Sequence, residues 1–163
     1  MKRVGVGVNQ MPKVDIAKVS VRSGAGYPAR FLPEHRERHK QALGDAVGLT
    51  QFGVNLTRIA PGAASALRHY HEQEDEFVFM IEGELVLIEN DGEVVLKAGD
   101  CAGFQAGVGN AHRLVNRSDR DAVYIEVGTR SPHERVHYPD DDLHLVREGR
   151  AARWLHKSGE PYT

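Results

Sequence analysis

At 163 residues, with a formal net charge of -2 and 40% hydrophobic residues, the chain is long enough for one domain with its own core and too weakly charged for a nucleic-acid-binding face. No run of about 18 apolar residues occurs, so no membrane-spanning helix is expected. The single cysteine, Cys101, excludes an intramolecular disulfide and suits a reducing cytosol, and inside a strand it is expected to be a small buried apolar residue.

Lys2 and Arg3 resemble the start of a secretion signal, but the apolar run behind them is short and glycine-interrupted, so a cytoplasmic protein is expected. Val14, Ile16, Val19 and Val21 alternate loosely and suggest a peripheral strand. Ser23 to Pro28 reads as a loop. The charges from Arg30 to Lys40 mix Arg36, Arg38 and Lys40 with Glu34 and Glu37, which reads as a solvated face. Pro33 to Leu43 is expected to form a short helix, with Pro33 near its start and Gly44 at its end. Residues 1–48 are thus expected to be an arm packing on the main body or on a second subunit.

From Leu49 the period changes to two. Phe52, Val54 and Leu56 share one face, with Gln51, Asn55 and Thr57 on the other. Further strands are expected at Ser65–His71, Glu76–Ile81, Glu84–Glu89, Val94–Leu96, Cys101–Gln105, His112–Asn116 and Ala122–Val127. Turn signals separate them, the strongest being Asn90-Asp91-Gly92. Short strands at regular spacing predict an all-β sandwich or barrel over 49–128. The extension 129–163 is polar, with the acidic run Asp140 to Asp142. Leu143, Leu145, Val146 and Trp154 imply that it packs across the outside of the barrel.

His69 and His71 lie two positions apart, so on a strand they share a face while Arg68 and Tyr70 take the other. A run of acids ending at Glu76 follows. Alone, this pattern equally fits a polar hairpin with exposed histidines. A second block matters here: Gly99, Gln105-Ala106-Gly107, His112 and Asn116 come in order after Gly62, His69-Tyr70-His71, Glu76 and Gly83.

Together these blocks resemble the two-motif signature of the cupin superfamily, across about residues 49 to 128. The resemblance implies a double-stranded β-helix, or jelly-roll barrel, and carries the family's metal ligands onto His69, His71, Glu76 and His112. Gly62 lies one residue further from the histidine pair than the family pattern, Gln105 replaces a proline, and the loop Val108 to Ala111 is two residues longer. None of these departures removes a ligand. The fuller run resembles small single-domain bacterial cupins. Independently, three imidazoles and a carboxylate suit a divalent transition metal (Zn, Fe, Mn, Ni or Cu) without choosing among them.

The expected function is metal-dependent isomerase, lyase or oxygenase chemistry on a small polar metabolite such as a sugar derivative or organic acid. Glu76 or a bound water would move the proton. The alternative is a non-catalytic cupin that senses or binds a small molecule around a structural metal. A homodimer is expected by family analogy, through the arm or an exposed barrel edge. Asp75 should face away from Glu76, and Asn116 should hold a turn. His35, His39, His133, His137, His144 and His156 read as surface histidines. No Ser-His-Asp set, phosphate loop or dinucleotide fingerprint occurs.

Overall fold

The computed structural model describes residues 13–31 and 36–162. The expectations for Met1 to Gln10, for Pro33 to His35 and for Glu34 lie outside those residues. In chain order the elements are β1 (Val21–Ser23), β2 (Arg38–Ala42), the single-turn α1 (Leu43–Ala46), β3 (Phe52–Ile59), β4 (Tyr70–His71), β5 (Glu76–Glu82), β6 (Glu84–Glu89), β7 (Gly92–Lys97), β8 (Cys101–Phe104), β9 (Arg113–Val115), β10 (Ala122–Thr129), β11 (His133–Tyr138), β12 (Leu143–Glu148) and β13 (Ala151–Leu155).

Every strand pairing is antiparallel. One wall is a six-stranded sheet in the order β1-β2-β3-β10-β5-β8. The opposite wall is built from β7-β6-β9 and β13-β12-β11-β4, joined where Ala64 bridges Val115 and His69 bridges His112. This is the double-stranded β-helix. Alternation explains the core: Ile59, Val78, Met80, Leu85, Leu87, Leu114 and Tyr124 face inward and pack together. A second cluster forms where Phe31 and Leu67 meet Val136, Tyr138 and Leu143, with Tyr27 and Trp154 against it.

Four expectations change. First, Arg38 to Ala42 is a strand rather than part of a helix, pairing with β3 at Arg38↔Ile59 and Lys40↔Thr57. Partners directly opposite share a face, so Arg38 and Lys40 turn inward with buried Ile59 and Thr57 and are not part of a solvated face.

Second, Ser65 to His71 is strand only at Tyr70–His71. Between the two bridges the chain takes five steps from Ala64 to His69 opposite three from Val115 to His112, so the longer side must bulge. Its backbone is satisfied from elsewhere: Ser65 O accepts from Arg38 Nη1 at 2.6 Å, and Leu67 N donates to the Tyr27 hydroxyl at 3.2 Å.

Third, Cys101 is exposed. It lies on the edge strand β8 opposite Phe79, on the outer face of the sheet, so the alternation that buries Ala102 side-on turns Cys101 out.

Fourth, the C-terminal extension forms three strands that continue the second wall through β11–β4 pairing at Val136↔His71, rather than a strap across the outside.

Candidate metal centre

Three short segments build the site. His69 and His112 bridge each other, His69 N donating to His112 O at 3.1 Å and His112 N to His69 O at 2.9 Å. His71 follows on β4, and Glu76 opens β5 across the barrel, opposite Phe104 and Gly128. The Nε2 atoms of His112, His71 and His69 lie 3.1, 3.4 and 3.6 Å from Glu76 Oε2. All four residues singled out in the sequence therefore meet. Asp75 does turn away: its carboxylate accepts from Ala106 N at 2.8 Å and faces solvent. Arg68 points outward onto Asp140, Tyr70 stacks on His137, and buried Asn116 ties the 116–120 turn by donating to Ile59 O and Arg120 O at 2.8 Å each.

The orientation of the rings is fixed from behind. His69 Nδ1 donates to Leu67 O at 2.8 Å, so its Nε2 carries the lone pair. The His112 ring stacks on Phe104 with centroids 3.5 Å apart. Glu76 Oε2 is buried and makes no hydrogen bond of good geometry despite the three nearby imidazoles. Burial works to raise the Glu76 carboxyl, yet the imidazoles of His112, His69 and His71 outweigh it and hold it well below the usual carboxylate range. An orphaned anionic oxygen among three ring nitrogens is a donor set that fits a divalent transition cation.

Two hollows meet at this point. The inner one, about 170 Å³, is walled by the four residues, by Tyr27, Arg38 and Lys40 from the N-terminal segment, and by Val136, Tyr138 and Leu145 from the C-terminal extension. The outer groove, about 750 Å³, carries Arg22, Asn55, Arg130, Arg147 and Arg150. Lys40, Glu76 and Glu126 line both. Lys40 and Glu126 form an ion pair, and Glu126 also accepts from Asn55 Nδ2 at 3.1 Å and from the Tyr124 hydroxyl at 3.3 Å. Burial, and after it Tyr27, pushes the Tyr138 phenol well above its ordinary range, so it stays a hydroxyl donor. Sequence reasoning missed Arg38, Lys40 and Glu126. The spacing Arg38-x-Lys40 was the available signal, since on a strand it puts two cations on one face.

The family model described as Cupin domain matches residues 55–128. Among solved structures, a sugar phosphate isomerase from a cupin superfamily, from Silicibacter pomeroyi, superposes with a TM-score of 0.89 at 45% identity, covering 93% of this chain and 97% of that one. The chain belongs to the cupin superfamily. This cupin is also 30% identical over 98 residues to the tetracenomycin polyketide synthase protein TcmJ of Streptomyces glaucescens, and the match spans 64% of that protein's length. A polyketide cyclase, RemF from Streptomyces resistomycificus, shares the fold at a TM-score of 0.59 and 17% identity. Strands β2, β11 and β12 lie outside the matched cupin residues, yet they give Arg38, Lys40, Val136, Tyr138 and Leu145 to the cavity wall.

Proposed function

We propose that this cupin is a metal-dependent isomerase of a small phosphorylated sugar. The observation that carries the reading is the convergence of three imidazole Nε2 atoms on Glu76 Oε2 where the inner cavity meets an arginine-rich groove. The Silicibacter pomeroyi sugar phosphate isomerase, 45% identical across nearly its whole length, supports it. His69, His71, Glu76 and His112 would hold the ion, which when bound supplies Lewis-acid polarisation of a sugar carbonyl. The chain's own groups do the rest. Glu76 and Glu126 line both hollows and are assigned the proton that leaves one carbon and returns to its neighbour. The Tyr138 and Tyr124 hydroxyls and Lys40 orient the sugar oxygens, and the aromatic wall of Tyr27, Tyr138 and Phe104 excludes water.

The phosphate is assigned to the groove. Three of its cations are paired: Lys40 with Glu126, Arg130 with Asp45, and Arg147 with Glu74. Among the described residues, Arg22 and Arg150 have no acidic partner. Two free guanidinium groups match the charge of about -1.5 to -2 that a phosphomonoester carries at neutral pH. Arg150→Ala is expected to raise KM about tenfold for a phosphorylated sugar with kcat little changed, since a hydrogen bond to a charged group is worth about 1.5 kcal/mol. A drop in kcat with KM unchanged would remove the arginine from this role. The test of the reading itself is solvent exchange: metal-loaded protein incubated with sugar phosphates in D2O should introduce deuterium next to the carbonyl and interconvert aldose and ketose. Metal-loaded protein that does neither across a panel of sugar phosphates rejects it.

We further propose a homodimer formed through the outer face of the six-stranded sheet. Two successive rows across it, Leu56-Ile125-Phe79 and Val54-Val127-Phe77, are wholly apolar, and Phe77, Phe79 and Ile81 are each more than 40% exposed. These two rows carry no charge and so have no complement in a charged partner, whereas apposed to their own copy by a twofold axis they cover themselves. Light scattering should give twice the chain mass of 18.1 kDa. Phe79→Lys should give the monomer, and a monomeric wild type would end the idea.

A further inference from the structure

The back of the centre holds a second group of acids that the reading above does not use. His71 presents Nε2 to Glu76, while its buried Nδ1 has no hydrogen bond of good geometry. Facing Nδ1 are two carboxylates, Glu134 Oε2 at 3.6 Å and Glu74 Oε2 at 3.8 Å. The Glu134 side chain is fully buried. Its Oε1 accepts from the backbone N–H groups of Arg135 at 2.7 Å and Glu72 at 3.0 Å, and the N–H of Gln73 is shared between Oε1 at 3.3 Å and Oε2 at 3.2 Å. Glu74 Oε1 accepts from Ser131 N at 2.8 Å and from Arg147 Nη1 at 2.6 Å.

The two acids are not equivalent. The guanidinium of Arg147 neutralises Glu74. Glu134 has only neutral N–H donors, so its charge stays uncompensated unless His71 offers a proton. A carboxylate accepts and cannot donate, so Glu134 draws the N–H of Nδ1, while Nε2, which faces Glu76 Oε2 at 3.4 Å, would give its lone pair to an ion held between them.

We infer that Glu134, supplied by the C-terminal extension, is a positioning residue that holds the His71 proton on Nδ1 and thereby keeps Nε2 ready to ligate. It acts through His71 and does not touch substrate. The pairing Val136↔His71 between β11 and β4 sets its register, so the extension is part of the centre although it lies beyond the matched cupin residues. The inference rests on the metal reading above, but its first readout does not need metal.

Glu134→Gln is the informative change. The backbone donors of Arg135 and Glu72 hold the amide oxygen at the Oε1 end, which places the NH2 group against His71 Nδ1. A donor there favours the opposite tautomer, with the proton on Nε2, where it blocks coordination. In metal-free protein, long-range 1H–15N NMR should show a proton on His71 Nδ1 in wild type and none on Nδ1 in Glu134→Gln. Zn2+ titrated against a chromophoric chelator should bind wild type at one ion per chain and Glu134→Gln about 10- to 100-fold more weakly. Glu74→Gln should change Zn2+ affinity less than about threefold, its charge being held by Arg147. An unchanged tautomer with Zn2+ affinity within about threefold of wild type in Glu134→Gln overturns the inference. So does a stoichiometry of two ions falling to one, which would make His71, Glu74 and Glu134 a second metal site. A wild type that binds no Zn2+ or other divalent ion rejects the metal reading instead, and the tautomer still decides this one.

Discussion

His112→Ala protein is expected to bind its metal more than a hundredfold more weakly than wild type, beyond the roughly 10- to 100-fold that loss of an outer partner costs. His112 Nε2 lies nearest to Glu76 Oε2, at 3.1 Å, and its ring is held flat against Phe104. The ring opposite, His69, is already tied by its Nδ1 to Leu67 O at 2.8 Å and cannot swing into its place. The thermal consequence follows from linkage. At metal about a thousandfold above its dissociation constant, wild type gains about 4 kcal/mol, while a hundredfold weaker variant keeps about 1.4 kcal/mol. For a chain of this size that is a metal-induced rise in Tm of roughly 8–16 °C against roughly 3–6 °C. Each protein is compared with its own chelator-treated form, so that lost packing against Phe104 cancels. Equal metal content, or an equal rise in Tm, would show that His112 is no ligand.

Gly83→Ala should be the most damaging single methyl group in the barrel. Gly83 sits at φ +73°, where an L side chain is strained. A Cβ there would lie 2.6 Å from Asp121 O and 3.0 Å from Ala122 Cα. Both are backbone atoms at the entry to β10, and Ala122 is fully buried, so neither can yield. The left-handed conformation costs about 1–2 kcal/mol and the overpacking about 1–3 kcal/mol more. The expected fall in Tm is roughly 5–15 °C. Gly26→Ala, with nothing within 4 Å of its Cβ and no positive φ, should stay within about 0.5 kcal/mol of wild type. Denaturant melts of the two variants side by side decide the matter, and a Gly83→Ala protein as stable as Gly26→Ala would contradict the clash.

The barrel strands were legible because β3, β5, β6 and β10 each bury one face and so alternate. The candidate site was legible because His69, His71 and Glu76 sit within eight residues and His112 closes a second motif. What stayed hidden depends on registers between distant strands. Arg38 and Lys40 read as solvated charges until pairing with Ile59 and Thr57 turned them inward. Glu134 lay in a polar tail whose role appears only when Val136 pairs with His71. Cys101 sits in a strand as expected, but on an edge, and no local pattern reveals which strand of a barrel is the edge. The bulge between Ala64 and His69 is a mismatch between two segments far apart in the chain, so neither segment shows it alone.

The place of β10 has a consequence for how the molecule comes into being. It lies between β3 and β5, pairing Ala122 with Ile59 and Gly128 with Glu76. During synthesis the strands before it have left the ribosome while the centre of their own sheet is still missing. Neither Glu76 nor the wall behind it can be fixed until Thr129 has emerged. Such long-range pairing makes for slow folding, with apolar strands waiting unpaired in the meantime. The ion would therefore find its ligands only at the end of the process, so that capture of metal marks a completed chain and does not guide an unfinished one.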